Sequence, residues 1–156
     1  MNRMFARVRR ISSWTLVVSA AIASYALYFG YTTVQIHRGL GTSAYDFGLY
    51  DQGVWLLSQG KVPFVTLMGR NLFGDHTSFI LLPLVPLMWV FTSTSLLFVV
   101  QTVVIASGAI PIYAFARKHL ESDALGCVFA CTYLLYPAVS WTNVENFDPD
   151  SFLGVL

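Results

Sequence analysis

The residues from Trp14 to Val34, WTLVVSAAIASYALYFGYTTV, form an uncharged apolar stretch that decides the class of fold. A helix needs about 20 predominantly apolar residues to cross the hydrocarbon core of a bilayer, and this stretch has that length. The whole chain agrees with it, because 56% of its 156 residues are hydrophobic and only 11% are charged. Soluble domains carry about 25% charged residues. The sequence therefore predicts an all-α integral protein of the plasma membrane, with the lipid bilayer as its first partner.

Basic residues orient this first span. The segment 1–13 contains four arginines, namely Arg3, Arg7, Arg9 and Arg10. Because basic residues beside a span stay in the cytoplasm, residues 1–13 are predicted to be a cytoplasmic tail and residues 14–34 a span that runs outward. A cleaved signal peptide is the less favoured alternative, since the apolar run continues to Tyr31. The net charge of +1 and the absence of a broad basic face exclude nucleic acid as a partner.

Two later apolar stretches, residues 96–116 and 124–141, are also long enough to be spans. Arg117 and Lys118 follow the first of them, and the acidic sequence NVENFDPDS follows the second. If the short apolar run 78–91 also crossed, the basic pair would face outside and the acidic sequence inside, against the positive-inside rule. If it does not cross, the basic pair is cytoplasmic and residues 142–156 form an external acidic loop, as that rule requires. The sequence therefore predicts three spans with the N-terminus inside.

A long external loop, residues 36–95, is predicted to carry two interfacial helices. The run from Ser78 to Phe91 is shorter than the roughly 17 residues of a short span and contains two prolines, so residues 77–91 are predicted to lie on the outer surface of the bilayer. The other helix, residues 43–59, has apolar residues at helical spacing and aromatic residues suited to the interface. Together these predictions describe a membrane protein with a compact external loop.

The helix 43–59 carries two acids, Asp46 and Asp51. Asp46 follows Ser43 by three residues, as in a capping box, so helix capping is one explanation of it. Asp51 lies in the middle of the helix, where capping cannot explain it and simple solvation is the alternative to a functional role. Carboxylates at the edge of a membrane cavity are costly unless hydrated or paired, which favours a function for at least one of them.

Most acids of the chain fall on the predicted external side. Glu121 and Asp123 are the two cytoplasmic ones, and the other six of the eight acids are Asp46, Asp51, Asp75, Glu145, Asp148 and Asp150. A turn or a helix cap could explain Gly74-Asp75-His76, and an Asp-Pro turn could explain Asp148. Because three such motifs face the same side, the sequence predicts that they share one polar site.

Four sequence blocks carry a resemblance to a known family: YDFGLYDQGVW (45–55), GDHTSFILLPLVPL (74–87), IPIYAFARKHL (110–120) and YLLYPAVSWTNVENFDPDSF (133–152). With them the chain resembles the predicted multispanning membrane proteins called domain of unknown function 2079. That family is similar to the GT-C fold glycosyltransferases, which use polyprenyl-phosphate-linked sugars. The resemblance implies a GT-C-like N-terminal module of a longer polytopic fold, completed by further transmembrane segments or subunits.

The resemblance also implies roles for particular residues. Asp46 matches the acid that GT-C enzymes keep in their first external loop, with Asp51 in reserve, and would act as general base. Asp75-His76 matches the polar motif that opens the last interfacial helix of that loop. Asp148-Pro149-Asp150 departs from the expected His-Pro-Asp, so Asp150 is the better match there. The further substrate-binding candidates are Arg70 and Glu145.

The cofactor and the exact activity stay open at this level. Asp46, Asp75 or Asp150 could hold a divalent metal through oxygen, but their spacing specifies none. The favoured function is glycosyl transfer on the external face with a lipid-linked sugar donor. The alternatives are a non-catalytic membrane subunit and a transporter component, and the latter predicts acids inside the spans. Cys127 and Cys131 stand four residues apart in an apolar run, which favours packing over redox chemistry.

Overall fold

A computed structural model describes residues 12–74 and 78–155. The arginines of the predicted cytoplasmic tail, and Asp75 and His76, lie outside these ranges. The seven α-helices are α1 (Ser13–Arg38), α2 (Ala44–Ser58), α3 (Val85–Val90), α4 (Ser95–Ser107), α5 (Ala109–His119), α6 (Asp123–Leu135) and α7 (Pro137–Glu145). Three 3₁₀ helices (Leu72–Gly74, Phe79–Leu84 and Pro149–Val155) and two strands, β1 (Phe64–Val65) and β2 (Arg70–Asn71), complete the described chain.

Two helical rods are long and apolar enough to cross a bilayer, and a bent pair gives a third. The first is α1, with 26 residues, and the second is the 25-residue rod Ser95–His119 that α4 and α5 form together. The third consists of α6 and α7, whose axes differ by 41°. The prediction of a mostly helical membrane protein is confirmed, with two spans or up to three. The side that each end faces stays a prediction.

The rods run antiparallel. At one end of the bundle, the His37 ring in the last turn of α1 contacts Thr94, just before α4, with 3.0 Å between Nε2 and Oγ1. At the other end, the hydroxyls of Thr15 in α1 and Tyr113 in α5 are 3.0 Å apart. The C-terminus of α1 and the N-terminus of α4 therefore lie at one end, which we call the acidic end. The C-terminus of α7 lies there too, because Gln101 in α4 donates to the Asn146 carbonyl just after α7.

The second and third rods are interrupted where the sequence analysis expected straight spans. Proline at the first position of α7 cannot continue the hydrogen bonding of α6, so the chain bends at Tyr136 and α7 then runs on to Glu145. In the second rod, α4 ends at Gly108, and the Tyr133 hydroxyl donates to the Ile105 carbonyl at 2.9 Å. A Cβ at Gly108 would collide with that hydroxyl, so glycine permits the close approach of α6.

The loop between α1 and α4 agrees with the sequence analysis in its first half and differs in its second. The helix predicted over 43–59 is α2, which Ser43 caps and after which Gly60 adopts a φ of +65°. The region predicted as one helix over 77–91 is instead a 3₁₀ helix, Phe79–Leu84, that passes into α3. Two prolines in this run explain the change, because each removes a backbone donor. Between the two halves lies an antiparallel hairpin that was not predicted, with Phe64 opposite Asn71.

Two apolar clusters hold these parts together. One lies between the rods and contains, among others, Val18, Tyr25, Ile105, Ala109, Cys127 and Ala130. The other joins the loop to α4 and to the chain after α7, and contains Phe47, Val54, Val65, Leu81, Leu97, Phe98, Phe147 and Phe152. Phe47 and Phe98 stack with ring centroids 4.7 Å apart. The second cluster fixes α2 against the acidic end of the bundle, where the candidate site lies.

Candidate functional site

A cleft of about 440 Å³ lies at the acidic end of the bundle, between two segments that are far apart in sequence. We call these segments the α2 wall (Ser43, Asp46 and Tyr50) and the α7 wall (Thr142, Glu145, Asn146, Phe147, Asp148 and Asp150). The cleft therefore brings together Asp46, Glu145 and Asp150, three of the acids singled out by the sequence. It also includes Asp148, the acid that fitted the family pattern less well.

The α2 wall is organised by the cap of its own helix. The Ser43 hydroxyl oxygen accepts from the Asp46 amide at 3.3 Å, and the same hydroxyl donates to Asp46 Oδ2 at 2.8 Å. The expected capping residues are therefore in contact, although the carboxylate meets the serine hydroxyl rather than the serine amide. Asp46 is nevertheless exposed and lines the cleft. Its capping role and a role toward a ligand are compatible.

The α7 wall begins where α7 ends at Glu145 and the chain becomes extended at Asn146. Phe147 is buried and its ring lies edge-on to Tyr50, at 5.6 Å between centroids, so this aromatic pair joins the two walls. Asp148 Oδ1 then accepts from the Asp150 amide at 2.9 Å and begins the 3₁₀ helix Pro149–Val155. The predicted Asp-Pro turn is thus present, and it places Asp150 beside the cleft.

A glutamine in the second rod holds this wall from behind. Gln101 is fully buried, and its Nε2 donates to the Asn146 carbonyl at 2.8 Å and to the Thr142 carbonyl at 3.4 Å. Its Oε1 accepts from the Asp148 amide at 2.8 Å. The sequence analysis missed Gln101, although an amide within an apolar run of spanning length is the kind of residue that is costly in a membrane and therefore informative.

Thr102 forms a separate contact one residue further along the same rod. Its hydroxyl lies 3.0 Å from Asn143 Oδ1 and 2.9 Å from the Phe98 carbonyl. Among the described residues, two buried amide atoms have no hydrogen-bond partner, Asn143 Nδ2 and Asn146 Oδ1. A buried polar atom without a partner costs about 1–3 kcal/mol.

The remaining candidates do not line the described part of the cleft. Asp51 is half-buried on α2, and burial raises the pKa of its carboxyl, while the nearby His37 acts in the opposite direction. Arg70 lies on β2 of the hairpin. Asp75 and His76 are outside the described residues. Of the two acids of α2, Asp46 and its reserve Asp51, only Asp46 lines the described cleft.

The described residues contain no ready metal site. In residues 12–74 and 78–155, no three His, Cys, Asp or Glu side chains are placed to hold a metal ion together. Two carboxylates of the cleft carry contacts to the protein, that of Asp46 to the Ser43 hydroxyl and that of Asp148 to the Asp150 amide.

Comparison with known proteins gives a family. Residues 36–156 match the family model described as predicted membrane protein (DUF2079). No curated protein and no solved structure matches the chain. The match covers both walls of the cleft, the hairpin and the second and third rods. The chain is therefore a member of the DUF2079 family of predicted membrane proteins.

Proposed function

We propose that the cleft is the reaction centre of a membrane glycosyltransferase that acts on the external face with a polyprenyl-phosphate-linked sugar. One observation carries the proposal: carboxylates from two distant segments, Asp46 on one wall and Glu145 and Asp150 on the other, line one cleft. Such a cleft can hold a sugar, because carboxylates accept hydrogen bonds from hydroxyl groups.

The proposed reaction uses Asp46 as general base. The acceptor hydroxyl oxygen attacks the anomeric carbon of the donor sugar and forms the new glycosidic bond. The acceptor proton passes to Asp46, and the bond between the anomeric carbon and the phosphate oxygen breaks, with its electron pair leaving on the polyprenyl phosphate. A general base of this kind contributes about 10²–10⁴-fold to a rate. The exposed edge of Asp46 gives an acceptor access to it.

The lipid tail has a neighbouring apolar surface. A depression of about 210 Å³ between the second and third rods is lined by residues that include Ile105, Tyr133, Tyr136 and Val139. Thr142 lines both this depression and the cleft. A donor with its sugar in the cleft and its first isoprene units in the depression would cross near Thr142. The shared residue Thr142 supports a lipid-linked donor over a water-soluble one.

The phosphate needs positive charge that the described lining does not supply. Within the described chain, the residues that line the cleft include no Lys, Arg or His. Arg70 on the hairpin remains the candidate for this role, together with His76, since charge that develops on a leaving group must be met by a cation or a donor. The proposal therefore separates a sugar subsite, which is acidic, from a phosphate subsite contributed by the loop.

A transporter component is less well supported by the same geometry. Across the three rods, acids occur only at the two ends of the third, as Asp123 and Glu145. A path for protons or cations through the membrane would need ionisable groups along its length. The non-catalytic subunit remains the alternative that the experiment must separate from an enzyme.

Sugar transfer by the purified protein in liposomes tests the proposal. The protein is supplied with a panel of radiolabelled polyprenyl-phosphate sugars and with lipid and glycan acceptors, with and without divalent cations. Glu145→Gln combined with Asp150→Asn should reduce transfer strongly. The matched control is Asp123→Asn, which removes an acid at the opposite end of the bundle that lies 3.0 Å from Arg117, and it should keep transfer. Absence of transfer and of donor binding across the panel would favour the non-catalytic subunit.

A further inference from the structure

The hydrogen bonds of Gln101 all go to the segment that carries the acids of the α7 wall. Its amide nitrogen meets the carbonyls of Thr142 and Asn146, and its oxygen meets the amide of Asp148. The bonds thus bracket Glu145 and end two residues before Asp150. Thr142 precedes the point at which the chain becomes extended, Asn146 is that point, and Asp148 follows it, so one side chain fixes the path of the whole turn.

Packing alone does not explain a glutamine at this position. Gln101 is fully buried and belongs to a rod that is apolar and long enough to span the bilayer. Leucine would fill a similar volume there without a polar group to satisfy. The glutamine is accommodated because three backbone groups that belong to the cleft wall use both ends of its amide.

We propose that Gln101 is the positioning residue of the cleft, which holds the α7 wall at a fixed separation from Asp46. The effect on turnover rests on the proposed function, whereas the effect on geometry does not. Without Gln101 the Asn146 carbonyl and the Asp148 amide lose their partners, so the turn from Glu145 to Asp150 would sample several paths. Misplacement of a reacting group by about 1 Å can lower a rate by about 100-fold.

The separation of the two walls can be measured with spin labels. Tyr45 on the α2 side and Leu153 in the 3₁₀ helix of the α7 side are both exposed and neither lines the cleft in the described chain. Cysteines at these two positions, in a background of Cys127→Ala and Cys131→Ala, carry the labels. The protein with Gln101 should give a narrow distance distribution, and Gln101→Leu should give a broad one.

Gln101→Glu gives a readout that a packing role would not change. A protonated glutamic acid has one O–H that can donate to the Asn146 carbonyl and one oxygen that can accept from the Asp148 amide, whereas its ionised form cannot donate. The distance distribution of Gln101→Glu should therefore be narrow at acid pH and broaden as pH rises. Gln101→Leu should be broad throughout, and the protein with Gln101 narrow throughout the same range.

Thr102→Val is the matched control, because Thr102 is equally buried in the same rod but contacts Asn143 rather than the turn. It should keep the narrow distribution. A narrow distribution in Gln101→Leu, or equal broadening in Thr102→Val, would overturn the positioning role. If the protein transfers sugar, Gln101→Leu should lower the rate at saturating donor by about 10- to 100-fold. If it transfers none, the proposed function fails while the distance measurement still decides the role of Gln101.

Discussion

The two walls of the cleft are built in different ways. On the α2 wall, Asp46 is held by Ser43, three residues before it, through the cap of their common helix. On the α7 wall, the backbone of Asn146 and of Asp148 is held by Gln101, which lies 45 and 47 residues before them in the sequence. The first wall can form wherever its helix forms. The second wall exists only when the second and third rods are packed together.

One wall of the cleft is therefore positioned by contacts within a helix, and the other by contacts between rods. Asp46 is positioned by its own helix, α2. The α7 wall depends instead on the buried amide of Gln101, in the second rod, which contributes no residue to the described lining of the cleft. The Tyr50–Phe147 ring contact is the direct link between the walls. Substitutions that disturb the α2 wall and those that disturb the α7 wall should therefore differ in how much stability they remove and in which part of the cleft they loosen.

The largest expected effect concerns the requirement that both walls face the same side of the membrane. Gln59→Cys after α2 and Leu153→Cys after α7 should react with an impermeant thiol reagent on intact cells, whereas His119→Cys should react only after permeabilisation. The background lacks Cys127 and Cys131. Gln59 is chosen because Gly60 has a φ of +65°, which a cysteine would strain. Equal labelling of all three positions in intact cells would contradict the three-span arrangement.

The next largest expected effect concerns the α7 wall. Gln101→Leu should lower the free energy of unfolding by about 1–3 kcal/mol, since it leaves buried backbone groups of Asn146 and Asp148 without partners. Reversible unfolding in mixed micelles measures it. Thr102→Val serves for comparison, because it removes a hydroxyl from the same rod. Unchanged stability in Gln101→Leu would mean that water or another group takes over its bonds.

A smaller effect is expected for the α2 wall. Ser43→Ala removes the cap of α2 and should cost about 1 kcal/mol. The loss should appear as fraying at the start of α2 in hydrogen exchange, with the α7 wall unchanged. The same exchange experiment on Gln101→Leu should show the opposite pattern. Protection lost at both walls in Ser43→Ala would show that the walls are not independent.

The smallest effect concerns Asp51, which lies on α2 away from the cleft. Burial raises the pKa of this carboxyl in the folded protein, so its contribution to stability is full below the unfolded pKa of about 3.9 and is lost as pH rises through the folded pKa. Asp51→Asn should therefore raise Tm by a few degrees at neutral pH and leave it unchanged in acid. A lower Tm at neutral pH would mean that attraction to His37 outweighs burial.

The sequence predicts the local parts of this molecule well. The apolar runs predict the rods, and Ser43 with Asp46 predicts the cap of α2, because each pattern depends on neighbouring residues. The bend before α7 had a signal in Pro137 that a count of apolar residues ignores. The separation of Asp46 from Asp51 also had a signal in the sequence. The two acids are five residues apart, which on a helix is a rotation of about 500°, so they lie on different faces of α2.

Other features have no local signal. The hairpin has strands of two residues each, too short for an alternating pattern to mark them. The partners of Gln101 lie at the end of α7 and in the turn after it, and only the packing of the rods reveals them. The α7 wall could therefore be expected to carry acids, but the way in which it is positioned could not.

Transfer by Asp46→Asn beside Ser43→Ala tests most directly the claim that the cleft performs chemistry. Asparagine keeps the shape of the side chain and can accept from the Ser43 hydroxyl, but it cannot take a proton from an acceptor. We predict that Asp46→Asn lowers sugar transfer by about 100-fold or more with Tm nearly unchanged, while Ser43→Ala lowers Tm and keeps most of the transfer. Full transfer in Asp46→Asn, or losses in both variants that follow their loss of stability, would contradict a catalytic Asp46.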